Sequence, residues 1–265
     1  MGLMTQLAEV PSAPLPGGGR LPLVGLGTWK LRGDAARAAV TVALAAGYRH
    51  IDTATMYGNE DAVGQALADD RVDRDDVFLT TKLRPSDTGQ AERILRKSLR
   101  ALRTDRIDLW LLHWPPSRQG AIRQAWNEMI RLRDAGHVRA IGVSNFSLAQ
   151  IDDLITATSE TPAVNQVHWD PMRHSDAVLA GHRDRGIVVE GYSPLKDVRL
   201  DNPALTEVAA AHQVTPAQVI LRWNLAHDIV VIPKSAHADR IAANIDLFGF
   251  ALSDAEIAAI DALGR

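Results

Sequence analysis

The sequence predicts a single α/β domain folded as a (β/α)8 barrel, the TIM-barrel architecture. Three observations predict it: eight short apolar runs, segments of helical periodicity between them, and a spacing of roughly 25 to 40 residues that fills a chain of 265 residues. Parallel strands need connections long enough to hold a helix, so this alternation indicates parallel pairing. We expect residues 1–20 to form an N-terminal lead segment and residues 21–265 to form the barrel.

The predicted strands are the apolar runs themselves. In chain order they cover residues 23–27, 48–52, 77–82, 107–113, 138–143, 163–167, 187–192 and 229–232. The predicted helices are amphipathic segments in which apolar residues recur three or four positions apart. They cover residues 34–46, 60–68, 90–101, 122–135, 148–156, 177–185, 203–212 and 216–226.

Polar residues and glycines mark several of the predicted helix ends. Asn59 and Ser147 stand where N-caps belong, because a short polar side chain there can accept hydrogen bonds from the first free backbone amides. Gly47, Gly136 and Gly186 stand just after predicted helices, where the left-handed conformation that ends a helix favours glycine.

An open, doubly wound sheet is the competing topology for the same alternation. Its dinucleotide-binding form requires G-x-G-x-x-G after the first strand. Gly25 and Gly27 supply the first two glycines, but Lys30 stands where the third belongs. The missing glycine favours the barrel.

The composition is that of an ordinary globular protein, with 46% hydrophobic and 23% charged residues. The formal net charge of -3, from 29 basic and 32 acidic residues, provides no basic surface for a nucleic acid. The apolar runs are far shorter than the ~18 residues of a membrane span. The absence of cysteine excludes disulfides and thiolate chemistry.

The N-terminal residues carry no recognisable targeting pattern. A basic segment followed by an apolar one is missing, and Gln6 stands where a myristoylation signal needs serine or threonine. We therefore expect a soluble, cytoplasmic protein. We also expect a monomer that acts on a small molecule and binds neither nucleic acid nor membrane.

Polar residues that end apolar runs are the first candidates for chemistry, because the active site of such a barrel lies at the C-terminal ends of its strands. Asp52, Lys82 and His113 end the second, third and fourth predicted strands. Strands adjacent in sequence are adjacent in the barrel, so a carboxylate, an ammonium and an imidazole should meet at one rim. Tyr57 follows Asp52 in the same loop.

These four groups suit proton donation to a carbonyl oxygen. A phenol with a pKa near 10 is a weak acid at neutral pH, but a cation within ~4 to 6 Å lowers that pKa by about 1 to 3. Lys82 would be that cation, and Asp52 would keep the buried ammonium charged. His113 could hydrogen-bond the substrate oxygen. The sequence therefore predicts Tyr57 as a general acid.

Other interpretations of the same residues stay open. Asp52 and Lys82 could be a structural ion pair at the rim of the barrel, with His113 and Tyr57 as packing residues. A Schiff-base aldolase would use Lys82 as the nucleophile and Tyr57 as a proton relay. A non-enzymatic, cofactor-sensing partner subunit is a third alternative.

A further group of polar residues has the composition of a metal site. His168, Asp170 and His174 lie close together in the sequence, but their spacing matches no strong zinc pattern. We predict no metal there.

Six motifs closely resemble those of the aldo-keto reductase superfamily and occur in the same order. The first is Ile51-Asp52-Thr53-Ala54-x-x-Tyr57-Gly58-Asn59-Glu60. The others cover residues 81–83 (TKL), 111–115 (LLHWP), 142–146 (GVSNF), 192–195 (YSPL) and 232–235 (IPKS). The resemblance runs from about residue 21 to the last helix, and the sequence is similar to the bacterial diketogluconate and carbonyl reductase branch.

This resemblance implies an NADPH-dependent carbonyl reductase in which four residues form the catalytic tetrad, namely Asp52, Tyr57, Lys82 and His113. It also implies a cofactor site that the residues alone would not predict. By similarity, the residues of that site are Thr28, Ser144, Asn145, Gln166, Tyr192, Ser193, Leu195, Lys234, Ser235, Arg240 and Asn244. Those of the carbonyl pocket are Trp29 and Trp114.

Individual roles follow from the same resemblance. Ser144, Asn145 and Gln166 would hold the nicotinamide carboxamide, and Tyr192 would stack on the ring. The 2′-phosphate and the adenine would be held by Lys234, Ser235, Arg240 and Asn244. Phosphate binding after the eighth strand and before a short helix also agrees with the usual arrangement in such barrels.

The sequence departs from the family pattern in two places. Residues 166–171 read Gln-Val-His-Trp-Asp-Pro in place of Gln-Val-Glu-Tyr-His-Pro, and Ala243 stands where Gln or Glu is common before Asn244.

Two loops bear on the expected substrate. The chain ends at Arg265 without most of the C-terminal loop that covers the pocket in many relatives, and the connection over residues 115–121 is short. A wider pocket discriminates substrates weakly. We expect broad, low-affinity reduction of small activated aldehydes and α-dicarbonyls.

Overall fold

A computed structural model describes residues 10–70, 72–116 and 120–264. Its main sheet has eight parallel strands that pair in chain order, which confirms the predicted (β/α)8 barrel. These strands are β3 (Leu26–Gly27), β4 (His50–Asp52), β5 (Phe78–Leu83), β6 (Ile107–Leu112), β7 (Val138–Ser144), β8 (Val164–His168), β9 (Val188–Tyr192) and β10 (Val230–Val231).

The barrel closes between its first and last strands. Val24 forms a parallel bridge with Val231, and the amide of Gly27 donates to the carbonyl oxygen of Pro233 at 3.1 Å. β3 and β10 are only two residues long, shorter than predicted. A Cβ atom at Gly27 would lie 2.6 Å from the Ile232 carbonyl oxygen, so the closure requires glycine there.

The predicted helices all form, with ends displaced by at most two residues. They are α1 (Gly33–Ala45), α2 (Glu60–Asp69), α3 (Ala91–Ala101), α4 (Ala121–Asp134), α5 (Leu148–Thr158), α6 (Asp176–Asp184), α7 (Pro203–His212) and α8 (Pro216–Ala226). Two further short helices, α9 (Ala238–Ile245) and α10 (Asp254–Asp261), follow β10.

The predicted helix ends are confirmed with one exception. Ser147 forms a capping box with Gln150, and Gly47, Gly136 and Gly186 all have positive φ. Asn59 occupies the N-cap position of α2, but its side chain does not cap the helix. The Asn59 amide donates instead to the carbonyl oxygens of residues 28 and 31, because these buried groups need donors.

A short antiparallel hairpin, β1 (Ser12–Pro14) with β2 (Arg20–Pro22), precedes the barrel. Its residues Leu15 and Leu21 pack with Leu109, Leu111 and other buried apolar side chains of the strands. The larger core lies between the strands and the surrounding helices. The hairpin therefore covers one end of the barrel interior.

The barrel interior changes from apolar to polar along its length. Buried polar and charged side chains of β4, β5, β8 and β9 project into it: His50, Asp52, Thr80, Lys82, Gln166 and Glu190. Burying such groups is unfavourable unless they are paired, so we expect them to contact one another. The part of the barrel where they do so is the first place to look for an active site.

Some predictions fall outside the described residues. The targeting expectation rests on the first nine residues, and the connection over residues 115–121 includes positions 117–119. Within the described ranges, no helix has both the length and the apolar character needed to cross a membrane.

Candidate active site

The strands bring the ends of β4, β5 and β6 to one rim. Asp52 is the last residue of β4, Lys82 lies next to the end of β5, and His113 directly follows β6. Strand pairing fixes their relative heights, since Asp52 pairs with Thr80 and the His113 amide donates to the Leu83 carbonyl oxygen at 2.9 Å.

Tyr57 reaches the same rim from the loop after β4. It ends a single 3₁₀ turn, Thr55–Tyr57, and Gly58 then adopts a left-handed conformation before α2 begins. The Thr55 hydroxyl donates to the Lys82 carbonyl oxygen at 2.9 Å, which fastens this turn to β5. The tight turn directs the phenol back over the barrel.

Lys82 is the centre of the four predicted residues. Its Nζ lies 2.7 Å from both carboxylate oxygens of Asp52, 2.9 Å from the Thr53 carbonyl oxygen and 3.3 Å from the Tyr57 hydroxyl. The His113 ring lies edge-on to the Tyr57 ring, with centroids 5.7 Å apart. The structure therefore brings Asp52, Tyr57, Lys82 and His113 together.

Burial and nearby charges oppose each other at Lys82 but act in the same direction at His113. Burial lowers the pKa of Lys82, but the attraction of Asp52 and Tyr57 outweighs it and leaves that pKa above its ordinary value. Burial, helped by the charges of Lys82 and Arg84, lowers the pKa of His113 to about 3. Lys82 is therefore a cation and His113 is neutral at neutral pH.

The pKa of Tyr57 differs from the prediction. Burial raises it above its ordinary value, and Lys82 offsets only part of that rise. The prediction that Lys82 brings the phenol pKa below 10 is wrong for the protein without ligand, because the cost of burying a phenolate exceeds the attraction of one ammonium group. The phenol is therefore fully protonated at neutral pH.

A cavity of about 740 Å³ opens above the tetrad. It is lined by most of the predicted site residues: Trp29, Asp52, Tyr57, His113, Trp114, Ser144, Asn145, Gln166, Tyr192, Ser193, Leu195 and Lys234. Lys82 lies beneath its floor and is fully buried. Thr28, Ser235, Arg240 and Asn244 are not among the described residues that line it.

The three residues predicted to hold a carboxamide are neighbours on β7 and β8. Ser144 pairs with Gln166 across the two strands, and its hydroxyl donates to the Gln166 carbonyl oxygen at 2.8 Å. Asn145 has φ +63°, a left-handed conformation that asparagine tolerates. The Tyr192 hydroxyl donates to the Asn145 amide oxygen at 2.8 Å. These groups hold each other in place.

The residues predicted to bind the phosphate and adenine are arranged more loosely. Lys234 and Arg240 are exposed, and neither forms an ion pair within the part of the chain that the structure describes. The Ser235 hydroxyl accepts from the amide of His237 at 3.0 Å, just before α9. The Thr28 hydroxyl donates to the Asp52 carbonyl oxygen at 2.9 Å.

The polar residues with the composition of a metal site lie in two separate places. His168 lies with Asp170 and Asp197, and Arg173 donates to both carboxylates at 2.7 Å. His174 lies elsewhere, with His227 and Asp261. The three residues adjacent in sequence therefore do not form one site, because the turn Pro171–Arg173 carries His174 away from the cavity.

Sequence reasoning missed two buried polar residues beneath the cavity. Glu190 lies in the middle of β9 and His50 begins β4, and both are fully buried. The signal was present, because a charged residue inside an apolar run that predicts a buried strand needs a partner. Met56, Lys30 and Lys196 also line the cavity without having been predicted.

Comparisons with known proteins match the whole barrel. The family model described as "Aldo/keto reductase family" matches residues 23–265. An aldo-keto reductase of Mycolicibacterium vanbaalenii is 43% identical over 263 residues, which cover 98% of this chain and 94% of that protein.

Solved structures agree with the fold. The crystal structure of an aldo/keto reductase from Brucella melitensis has a TM-score of 0.93 and 40% identity, covering 96% of this chain and 99% of its own. An aldo-keto reductase of Bombyx mori, described as a complex with NADP, has a TM-score of 0.91 and 35% identity, covering 96% and 93%.

Proposed function

Because this chain belongs to the aldo/keto reductase family, whose members are NAD(P)-dependent oxidoreductases, we propose that it reduces aldehydes, ketones or α-dicarbonyls to alcohols with NADPH. We propose Tyr57 as the general acid. The observation that carries this proposal is the position of Lys82 Nζ, which contacts both Asp52 and the Tyr57 hydroxyl beneath an open cavity.

Each member of the tetrad has a defined task in this reaction. The Tyr57 hydroxyl donates its proton to the carbonyl oxygen of the substrate, and Lys82 stabilises the phenolate that this leaves. Asp52 keeps Lys82 charged in a buried position. His113, uncharged, donates a hydrogen bond to the same substrate oxygen. A hydride on the carbonyl carbon, which NADPH supplies when bound, completes the alcohol.

The residues present fit a nicotinamide cofactor. The cavity of about 740 Å³ offers a hydroxyl and two amides in Ser144, Asn145 and Gln166, which suit a carboxamide. Tyr192 lines the cavity wall, where its ring stacks on that of His168 with centroids 5.3 Å apart. Lys234 and Arg240 are exposed cations that suit a 2′-phosphate, which supports NADPH over NADH.

The cavity mouth supports a broad substrate range. Trp29, Met56 and Trp114 are large apolar side chains that are 46%, 49% and 46% exposed around it. Such a rim contacts many carbonyl compounds through non-directional apolar surface, so it discriminates weakly among them. Small activated aldehydes and α-dicarbonyls, as in the diketogluconate and carbonyl reductase branch, are the class we propose.

Burial of Lys82 argues against the Schiff-base alternative. Its Nζ already donates to Asp52 and to the Thr53 carbonyl oxygen, and the side chain is fully buried. A nucleophilic lysine must lose its proton and reach the substrate carbon. The raised pKa of Lys82, which Asp52 maintains against burial, opposes loss of the proton, and the full burial of the side chain opposes access to the substrate carbon.

The test is NADPH oxidation by the purified protein with a panel of aldehydes, ketones and α-dicarbonyls. We expect turnover with several of them, with KM values at or above the upper end of the usual ~1 μM to 1 mM range. Borohydride trapping of the substrate on Lys82, without NADPH oxidation, would support the aldolase instead. NADPH binding with no turnover on any carbonyl would support the cofactor-sensing subunit.

One result would contradict the proposed substrate range and leave the proposed reaction unaffected. A single carbonyl compound preferred by more than about a thousandfold, or about 4 kcal/mol in transition-state binding, contradicts a weakly discriminating pocket.

A further inference from the structure

Glu190 lies beneath the cavity floor and contacts the active site through one intermediary. It is 0% exposed in the middle of β9, and its Oε2 accepts from Gln166 Nε2 at 2.5 Å. The same Gln166 nitrogen donates to Asp52 Oδ2 at 2.8 Å. One amide nitrogen thus bridges two buried carboxyl groups.

The surroundings of Glu190 keep it uncharged at neutral pH. Burial and the nearby charge of Asp52 raise the pKa of Glu190 to about 8. The hydrogen bond from Gln166 and the charge of Lys82 act in the opposite direction but are outweighed. His50 Nε2 lies 3.5 Å from Glu190 Oε1, and burial lowers the pKa of His50 to about 3. Both members of this contact are therefore neutral, and Asp52 and Lys82 are the charged groups that face Glu190.

The two carboxyl groups determine how the Gln166 amide is turned. A primary amide has two N–H donors at one end and a carbonyl oxygen at the other. Asp52 accepts a hydrogen bond from one N–H of the Gln166 amide, and Glu190 accepts one from the other. With both donors engaged below the floor, the amide oxygen is the group that Gln166 presents to the cavity it lines.

A carboxamide placed on this floor has an amino group that needs an acceptor. The Ser144 hydroxyl is already a donor to the Gln166 main-chain carbonyl oxygen, and the Asn145 amide oxygen accepts from Tyr192. The Gln166 side-chain oxygen is therefore the acceptor best placed to receive that amino group. The Gln166 oxygen faces the carboxamide only if the side-chain amide of Gln166 does not rotate.

We propose that Glu190 is a positioning residue for the cofactor: it fixes the Gln166 amide with its nitrogen toward Asp52 and its oxygen toward the nicotinamide carboxamide. This inference rests on the proposed function, since it assumes that a nicotinamide occupies the floor. In this role Glu190 touches neither substrate nor cofactor and acts through Gln166.

Two uncharged variants of similar size test the role of the acceptor. Glu190→Gln keeps an oxygen that can accept from Gln166, whereas Glu190→Met removes it. We expect Glu190→Gln to bind NADPH within about twofold of the wild type. We expect Glu190→Met to bind it about 3- to 10-fold more weakly, as the loss of one hydrogen bond implies. Quenching of tryptophan fluorescence measures both.

Three controls separate positioning from damage to the fold. Glu190→Met should weaken NADH as much as NADPH, because the nicotinamide is common to both. It should leave the binding of 2′,5′-ADP, which lacks the nicotinamide, unchanged, and it should lower kcat while leaving the KM of the carbonyl substrate alone. Equal binding by the two variants, or equal weakening of 2′,5′-ADP, would overturn the proposal.

The contact between Glu190 and Gln166 can also be tested in the ligand-free protein, without measuring activity. The Gln166 side-chain ¹⁵N–H signals should shift as the pH passes through about 8 in the wild type, where Glu190 ionises, and should not shift in Glu190→Gln. No shift in either protein contradicts the contact, even if Glu190→Met does not fold. Absence of NADPH binding by the wild type, with the shift present, would refute the proposed function and leave the Glu190–Gln166 contact intact.

Discussion

Two regions of the molecule are built in different ways. The tetrad region is formed by Asp52, Tyr57, Lys82 and His113. The region that we propose binds the cofactor phosphate, called the phosphate region below, is formed by Lys234, Ser235, Arg240 and Asn244. The tetrad is attached to three adjacent strands and one tight turn, and Lys82 alone makes four polar contacts. The phosphate region lies after β10 and on the short helix α9. Its two cations, Lys234 and Arg240, are exposed.

This difference determines what each region can contribute. Charges in a buried, water-poor site act strongly and need no rearrangement during the reaction, so we expect the tetrad to govern the chemical step. Exposed charges are screened by water and salt, so each contributes modestly, chiefly to affinity and cofactor choice. Substitutions in the tetrad should therefore change kcat, and those in the phosphate region should change Kd.

The largest effect should come from Tyr57→Phe, which removes the transferable proton and little else. We expect kcat to fall by ~10² to 10⁴-fold, the usual range for a general acid, while the Kd for NADPH stays unchanged. Steady-state turnover and a fluorescence titration measure the two quantities. Retention of more than a third of the wild-type kcat would falsify the assignment of Tyr57.

Lys82→Met should be nearly as severe, by on the order of 10²-fold in kcat, because the phenolate left by Tyr57 then has no cation beside it. Burial raises the pKa of Tyr57 and Lys82 lowers it, so this pKa should rise further when Lys82 is replaced. The same rate measurement, repeated across pH, tests this expectation.

Lys82→Met also leaves Asp52 buried without its partner, which typically costs about 3–5 kcal/mol of stability. The double variant Lys82→Met, Asp52→Asn removes both charges and serves as the matched control. We expect it to recover stability in chemical denaturation but not activity. Recovery of activity together with stability would show that Lys82 holds the fold and is dispensable for the reaction.

Arg240→Ala should have a smaller effect confined to affinity. A charged hydrogen bond contributes about 1.5 to 3 kcal/mol, so NADPH should bind roughly tenfold or more weakly, while NADH and kcat at saturation stay nearly unchanged. Titration with both cofactors measures this. Equal weakening of NADPH and NADH would mean that Arg240 supports the structure of α9 and not the 2′-phosphate.

The same two regions explain how far the sequence could predict this protein. The tetrad followed from elementary rules, because Asp52, Lys82 and His113 end consecutive apolar runs and parallel strands align those ends. The apolar periodicity likewise predicted helices α1 to α8, and α7 and α8 begin and end at the predicted residues.

Other features depend on distances that no local pattern encodes. The role of Arg240 came only from family resemblance, since an exposed arginine on a helix has no distinguishing signal. The pKa of Tyr57 depends on the balance between burial and Lys82, which requires coordinates. Asn59 matched a capping pattern, but its amide was needed by buried carbonyl groups more than 20 residues away in the sequence.

A pH profile distinguishes Tyr57 from His113 within the tetrad. The pKa of His113 is lowered to about 3 by burial, Lys82 and Arg84, so its charge does not change between pH 5.5 and 7.5. We expect kcat to vary by less than about twofold over that range. A histidine acid with an ordinary pKa near 6.5 would lose about tenfold across the same interval.

The lowered pKa of His113 makes the stability of the fold depend on pH. The folded protein binds fewer protons at His113 than the unfolded chain does between pH 6.5 and about 3, so its contribution to stability is present above pH 6.5 and is lost as the pH falls. His113→Gln should therefore flatten the acid side of the unfolding free energy. An unchanged slope would contradict a lowered pKa.

Chelation should have no effect, which is the smallest change we expect anywhere in the molecule. Between Asp170 and Asp197, Arg173 already supplies the positive charge that a metal would bring. In the second group, Asp261 Oδ1 already accepts from Trp223 Nε1 at 2.7 Å and from His227 Nε2 at 2.9 Å. Turnover should survive dialysis against EDTA, and loss of activity restored by zinc would show that one of these groups holds a metal the reaction needs.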